Sequence, residues 1–214
     1  METQLSDIRK EYKKGKLTSI NLSNNPFEQF QHWLDDAVHS NEDEPTAMLV
    51  ATVSPEGRPS TRTVLLKGVE DGKFIFYTNY ESRKGQQLAG NPYISLSFVW
   101  HKLERQIHIE GKAEKCSAED SDKYFASRPY KSKIGARISP QSHVISSRME
   151  IMRAFVYEAT KWAGQTIKRP DNWGGFAVTP TRFEFWQGRE SRLHDRFQYT
   201  LQEDGNWKKE RLAP

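Results

Sequence analysis

Four groups of residues have types and spacings suited to chemistry on an anionic ligand. The densest is Arg192-Leu193-His194-Asp195-Arg196. In an extended strand Arg192, His194 and Arg196 share one face, spread over roughly 13 Å. Cations in such a row repel one another on an empty surface, whereas they suit a site for an extended, electron-rich ligand. His194 adds a group that titrates near neutrality. The second group is Arg62-Thr63-Val64-Leu65-Leu66-Lys67, where alternation sends Arg62 and Lys67 to opposite faces of a strand. The third, Ser82-Arg83-Lys84, sits where a helix starts, so free N–H groups and the helix dipole join two cationic side chains. Tyr124, Arg128 and Ser132 form the fourth, a set of good phosphate donors. Taken singly, each has a plainer explanation: solvated charges, an exposed strand, or, for Trp186 and Gln106, a core indole and a solvated amide.

The elements that must position these groups follow from periodicity. Asn25-Pro26-Phe27-Glu28 opens a helix, with Phe27, Phe30, Leu34, Ala37 and Val38 on its core face. Residues 5–14 have a helical but wholly polar pattern, and a Ser- and Asn-rich linker follows them. Strands are predicted at 47–53, 61–69, 73–78, 93–100 and 105–113, separated by Pro55-Glu56-Gly57, Glu70-Asp71-Gly72 and Asn91-Pro92, with a short helix at 82–89. Ser117-Ala118-Glu119-Asp120 resembles a capping box, and helical patterns recur at 131–138 and 147–164. Strands at 175–178, 182–187, 192–199 and 207–211 close the chain, the last two joined by Glu203-Asp204-Gly205-Asn206. Short antiparallel strands with inserted helices point to an α+β barrel. There is no Gly-rich dinucleotide or phosphate loop, so side chains must hold any nucleotide-like cofactor.

Composition narrows the classes. The 214 residues carry 32 basic and 28 acidic side chains, well mixed, with a net charge of +4. Nucleic-acid surfaces concentrate their charge, so a nucleic-acid partner is not expected. Mean hydropathy is −0.82, yet eleven Phe, eight Tyr and six Trp can build a core. One cysteine, Cys116, excludes an internal disulfide and a zinc cluster, and no metal is expected. The start lacks a signal-like pattern, and the longest apolar run, Ala47 to Val53, is far too short for a bilayer. A cytoplasmic protein is expected.

Phe183-Glu184-Phe185-Trp186-Gln187, four further residues and Arg192-Leu193-His194-Asp195-Arg196 together resemble the signature of the pyridoxamine 5′-phosphate oxidase family. The similarity runs through Tyr77-Thr78, Glu104-Arg105-Gln106, Ser127-Arg128-Pro129, Gln141-Ser142 and Trp173-Gly174-Gly175-Phe176 to the C-terminal Arg211-Leu212-Ala213-Pro214. His143 departs from it, standing where a small polar residue is expected. The resemblance implies an α+β split β-barrel that binds FMN at the interface of a homodimer. It implies oxidation of pyridoxine or pyridoxamine 5′-phosphate to pyridoxal 5′-phosphate, by hydride transfer to the flavin and reoxidation by O2 to H2O2. Residues 1–24 become a mobile segment that closes over the site, and 25–214 a single FMN-binding domain.

By the same resemblance, Arg62, Thr63, Val64, Leu65, Leu66, Lys67, Tyr77, Thr78, Arg83, Lys84, Gln106, Gln141, Ser142, Trp186 and Arg196 line the cofactor. Arg9, Tyr12, Lys67, Tyr124, Arg128, Ser132, Arg192 and His194 hold substrate. Arg192 and His194 are the catalytic pair. Free Arg is a poor base, which favours His194 for acid–base work, but His194 serves equally well as a plain hydrogen-bond partner of substrate, and sequence leaves open which of the two handles the proton. A split-barrel flavin reductase, which has no need for Tyr124, Arg128 and Ser132, and a carrier of pyridoxal 5′-phosphate without turnover are the competing readings.

Overall fold

A computed structural model describes Gln4 and residues 11–214. Among them are five α-helices and nine strands: α1 (Pro26–His39), β1 (Ala47–Val53), β2 (Pro59–Leu65), β3 (Gly68–Glu70), β4 (Lys73–Asn79), α2 (Arg83–Gly90), β5 (Tyr93–Trp100), β6 (Arg105–Lys115), α3 (Ala118–Ser127), α4 (Tyr130–Ile138), α5 (Arg148–Lys161), β7 (Trp173–Gln187), β8 (Asp195–Leu201) and β9 (Trp207–Leu212). Hydrogen bonding orders the strands β2-β1-β5-β6-β7-β4-β3, with β8 paired to β7 and β9 to β8. The helical pattern at 5–14 falls mostly outside the described residues, and Glu11 to Lys14 are not helical.

The chain divides into two compact units. One comprises the described part of Met1–Leu49 with Ser95–Glu110 and Pro180–Pro214. Its core is aromatic: Phe30 and Trp33 of α1, Phe98 and Trp100 of β5, Phe183 and Phe185 of β7, and Phe197 and Tyr199 of β8 are all buried. Asn25 caps α1 by accepting the Phe27 N–H at 2.9 Å, and Pro26 occupies the first turn, where a missing N–H costs nothing. The buried face of α1 runs through Phe30, Trp33 and Ala37, while Val38 is exposed. The expected stripe holds at Phe30 and Ala37, with Phe27 and Leu34 half-buried, but Trp33 is buried in addition and Val38 is not part of it.

The other unit comprises Val50–Ile94 and Gly111–Thr179. β4 pairs antiparallel with β7, Phe74 opposite Val178 and Asn79 opposite Trp173. α2 begins at a tight bend: the Ser82 hydroxyl accepts the Gly85 N–H at 3.3 Å and donates to the Asn79 carbonyl at 2.6 Å. Phe125, Ile134, Ile167 and Trp173 form a second apolar cluster, against which Tyr77 and Tyr124 pack.

Three expectations are corrected. The strand expected at 61–69 is two, because Leu66 turns into the core after β2 and the Lys67 N–H bonds the Ile75 carbonyl at 2.8 Å. Burial nonetheless alternates through the break, with Arg62, Val64 and Leu66 on the more buried side and Thr63, Leu65 and Lys67 exposed, so Arg62 and Lys67 take opposite faces as expected. The strands expected at 175–178 and 182–187 are one, β7. Pro180 lies where its hydrogen-bonding partner changes, since residues up to Val178 pair with β4 and those from Arg182 with β8. Most consequential, Arg192 and His194 are not in a strand. Glu190–Arg192 form a 3-10 turn in which Ser191 and Arg192 both take left-handed backbone, φ 57° and 61°, and β8 starts only at Asp195.

The α2 bend gives a stability prediction. A methyl group at Gly85 would collide with the main chain of Tyr80. Alanine normally stabilises a helix over glycine by about 1 kcal/mol. Gly85→Ala is expected to do the opposite and lower unfolding free energy by about 2 kcal/mol or more, measured by denaturant titration.

Candidate active site

The second of these units holds a cavity of about 490 Å³, lined among others by Thr63, Val64, Leu65, Lys67, Tyr77, Thr78, Lys84, Tyr124, Arg128, Ser132 and Gln141. A cleft of about 390 Å³ shares Thr63, Lys84 and Gln141 with it and adds Arg62, Arg83 and Ser142. The structure thus brings together the predicted phosphate-binding residues from three distant stretches of chain. Leu66 is buried and leaves only its main chain to offer a ligand. Arg9 lies outside the described residues.

Electrostatics in this unit point to an anion. Lys84 is 6% exposed, and its ammonium donates only to neutral oxygens: Thr78 Oγ1 at 2.9 Å, Gln141 Oε1 at 3.1 Å and Ser82 Oγ at 3.4 Å. Arg62 is half-buried and donates to Thr52 Oγ1 at 2.6 Å, Ser60 Oγ at 2.7 Å and the Val50 carbonyl at 3.2 Å. Among the described residues no carboxylate pairs with Arg62, Arg83 or Lys84. Burial, with the neighbouring Arg62 charge, depresses the Lys84 pKa to about 8. Burial, helped by Arg83, also depresses that of Arg62. Buried cations are ordinarily paired, so a phosphate here would relieve a standing cost.

A second cationic group lies on the helical side of the cavity. Tyr77 and Tyr124 stack with ring centres 3.8 Å apart, and Trp173 continues the stack at 5.5 Å from Tyr77. The Arg128 guanidinium lies over Trp173, 4.5 Å from the ring centre. Its Nη1 is the one buried side-chain nitrogen or oxygen without a hydrogen-bond partner among the described residues. Ser132, in the first turn of α4, and Lys67 line the same cavity. Trp173 is a site residue that sequence reasoning quoted but did not assign. Its motif with Gly174 and Gly175 was the available signal.

The remaining predicted residues gather in the first unit. Trp186 and His194 lie with ring centres 4.6 Å apart, and Tyr12 meets both edge-on at 5.7 and 5.8 Å. His194 Nδ1 accepts the Arg189 N–H at 3.1 Å. Burial and the adjacent Arg192 charge lower its pKa below the ordinary value. A neutral ring with Nδ1 accepting carries its proton on Nε2. Arg192 is exposed. Arg196, opposite Trp186 in the β7–β8 register, is tied to buried Glu184 by two 2.8 Å contacts and donates to the Ala213 carbonyl at 2.9 Å. Glu184 also takes Arg182 at 3.2 Å, a partnership that motif reading missed. Gln106 is half-buried in β6.

Comparison with known proteins agrees. The family description "Pyridoxamine 5'-phosphate oxidase" matches residues 34–163, and "Pyridoxine 5'-phosphate oxidase C-terminal dimerisation region" matches 173–214. The chain belongs to the pyridoxamine 5′-phosphate oxidase family. Curated relatives named pyridoxine/pyridoxamine 5′-phosphate oxidase include one from Bacteroides thetaiotaomicron, 67% identical over 98% of this chain and 99% of the relative. Another, from Porphyromonas gingivalis, is 56% identical over the full length of both. Among solved structures, PhzG from Burkholderia lata, in complex with tetrahydrophenazine-1-carboxylic acid, superposes with a TM-score of 0.87 at 27% identity, covering 93% of this chain and 98% of that one. An FMN-binding protein from Nostoc punctiforme related to pyridoxamine 5′-phosphate oxidase gives 0.70 at 17% identity, covering 90% and 100%, and supports the fold alone. The fold is the α+β split β-barrel class of this family, and the chain is an oxidoreductase of an FMN-dependent oxidase family. No helix among the described residues is long and apolar enough to cross a membrane.

The buried lysine makes a pH prediction. Folded Lys84 titrates at about 8, against 10.5 ordinarily. Between these values the unfolded chain binds more protons, so stability of the flavin-free protein rises with pH across that window. Lys84→Met is expected to lose this rise, seen as the difference between the two proteins' stability–pH curves. A phosphate held at Lys84 would favour the charged form, so FMN affinity, followed by fluorescence titration, is expected to fall as pH passes about 8 if the flavin phosphate sits there.

Proposed function

We propose that this chain is an FMN-dependent oxidase that converts pyridoxamine or pyridoxine 5′-phosphate to pyridoxal 5′-phosphate. O2 is the acceptor and H2O2 the by-product, with ammonia released by water from the amine substrate. One observation carries the reading: the cavity and its adjoining cleft hold two separate cationic groups, each short of an anion, as two phosphorylated ligands require. Arg62, Arg83 and Lys84, with Tyr77, Thr78, Gln141 and Ser142, take the cofactor phosphate end. Lys67, Tyr124, Arg128 and Ser132 take the substrate phosphate, and Arg128 Nη1 gains its missing acceptor there. Charge-assisted bonds of this kind are among the strongest a protein makes.

When bound, FMN supplies the two-electron acceptor for a hydride leaving substrate C4′ and passes the electrons to O2. The chain's own residues orient and polarise. Gln106, Trp186 and Arg196 meet the flavin ring and its polar edge. Arg192 and His194 address the substrate pyridine. Because His194 Nδ1 is already occupied as an acceptor, its Nε2–H is the group it offers, and the neutral ring donates a hydrogen bond to substrate. Arg192 adds positive charge beside the reacting carbon. Residues 1–24, with Arg9 and Tyr12, close over the site, and 25–214 act as one FMN-binding domain. The match to a dimerisation region supports a homodimer with the flavin at its interface, working in the cytoplasm on small molecules.

Oxygen uptake and pyridoxal 5′-phosphate formation by the yellow, flavin-loaded protein test this. A loaded protein that consumes no O2 with either substrate would overturn it. Arg192→Ala is expected to lower turnover by about 100-fold or more while the flavin stays bound. Colour lost with the activity, and activity restored by added FMN, would instead make Arg192 a cofactor ligand. Arg128→Met is expected to raise the substrate KM by about tenfold or more with flavin affinity unchanged.

A further inference from the structure

The stretch that follows Tyr12 has no regular secondary structure, yet two carboxylates grip its main chain. Glu104 lies buried in the bend between β5 and β6, with left-handed backbone at φ 57°. Its Oε2 accepts the Lys13 N–H at 2.8 Å and the Lys14 N–H at 3.0 Å. Asp195, the first residue of β8, accepts the Leu17 N–H at 3.1 Å through Oδ2. Arg211 holds Asp195 Oδ1 at 2.8 Å, and Arg189 holds Oδ2 at 3.3 Å. Arg211 also donates to the Leu17 carbonyl at 3.2 Å, and the Leu17 side chain is buried. Burial alone would raise the Asp195 pKa, but Arg211, the Leu17 N–H and Arg189 bring it below the usual carboxylate range.

Immediately before this gripped stretch, Tyr12 lies on Gly188, where an added Cβ would come within 2.7 Å of its ring. From there it meets Trp186 and His194 edge-on. Among the described residues, the ring contacts of Tyr12 are these two. The bonds that fix where it lies are made to backbone N–H groups one, two and five residues further on. These main-chain bonds to carboxylates act together with the buried Leu17 side chain and with the Lys14 ammonium, which donates to the Lys102 carbonyl at 2.6 Å.

We propose that Glu104 and Asp195 are positioning residues for the reaction: together they clasp residues 13–17 so that Tyr12 is laid against the Trp186–His194 pair. The clasp holds in place a segment whose ordering would otherwise be left to each substrate molecule, so binding energy need not be spent on it. The placement of substrate beside Tyr12 rests on the oxidase reading above. The clasp itself rests on the bonds.

The test uses the flavin-loaded full chain with Glu104→Gln, Asp195→Asn, Tyr12→Ala and the Glu104→Gln/Tyr12→Ala double variant. Amide hydrogen exchange at Lys13, Lys14 and Leu17 reads the clasp directly. Glu104→Gln is expected to speed exchange at Lys13 and Lys14 about tenfold or more, and Asp195→Asn to do so at Leu17, which corresponds to about 1.4 kcal/mol. The KM for pyridoxamine 5′-phosphate should rise by a similar factor in Glu104→Gln, with kcat and flavin affinity within about twofold. The double variant should have the KM of Tyr12→Ala alone, because both changes remove the same placement. Unchanged exchange overturns the clasp. So does faster exchange with an unchanged KM, or additive KM effects. If Asp195→Asn fails to fold, Glu104→Gln decides alone. A wild-type chain without turnover would sink the oxidase reading, and exchange would still judge the clasp.

Discussion

A cation taken out of water must find an anion or lose its charge, and that constraint organises the cavity-bearing unit. Lys84 is buried among neutral oxygens, and its pKa falls because burial penalises its charge and the Arg62 charge adds to that. Replacing Lys84 by an apolar side chain would be the easy route to a more stable fold. The arrangement persists at a cost in the empty protein, and an arrangement of that sort makes physical sense around a ligand that supplies the charge. The same deficit recurs at Arg128, whose Nη1 has no acceptor among the described residues although its planar face is well used on Trp173.

Charges in the other unit are handled in the opposite way. Glu184 is buried but grips Arg182 and Arg196, and Asp195 is shared by Arg189 and Arg211. These groups neutralise one another within the chain and serve to aim side chains. Arg196 is held by Glu184 and the Ala213 carbonyl, so its direction is set before any ligand arrives. Pre-set donors lose little freedom when a ring comes to rest against them. The Lys84 and Arg128 groups are thus poised by deficit and the Glu184 and Asp195 groups by compensation, and only the deficits point to ligand charge.

How much of this was legible in the sequence depended on whether a residue's surroundings were local. Caps and turns were local, so Asn25, Ser82, Ser117 and Ser147 open their helices as expected. Residue types singled out the side chains that the fold brings to one cavity and its adjoining cleft, because Arg, Lys, Tyr and Ser are apt donors to an anion. Long-range compensation was invisible. Nothing in the spacing of Glu104 shows that it faces Lys13, since the two are 91 residues apart. Nor does alternation reveal that Leu66 breaks a strand or that β7 passes through Pro180, since both depend on which neighbour offers a hydrogen bond. The signature stretch led to the right family, but its expected strand geometry was wrong.

That error is informative about why the stretch works. A strand would have set Arg192, His194 and Arg196 in a fixed row, with about 6.6 Å between successive side chains on a face. The observed 3-10 turn breaks the row at Ser191 and Arg192, two non-glycine residues in left-handed backbone, at an intrinsic cost of roughly 1–2 kcal/mol each. The turn frees Arg192 from sheet geometry while His194 keeps its Nδ1 on the Arg189 N–H and its ring against Trp186. Only Arg196 remains a strand residue, locked by Glu184. Three basic residues in five positions therefore acquire three different degrees of constraint: an exposed guanidinium on a strained turn, an imidazole held by one backbone bond and two rings, and a guanidinium fixed by a buried carboxylate. Strain concentrated at the first of these has no evident value for stability, and it accompanies an exposed Arg192, as the role proposed for that residue toward substrate requires.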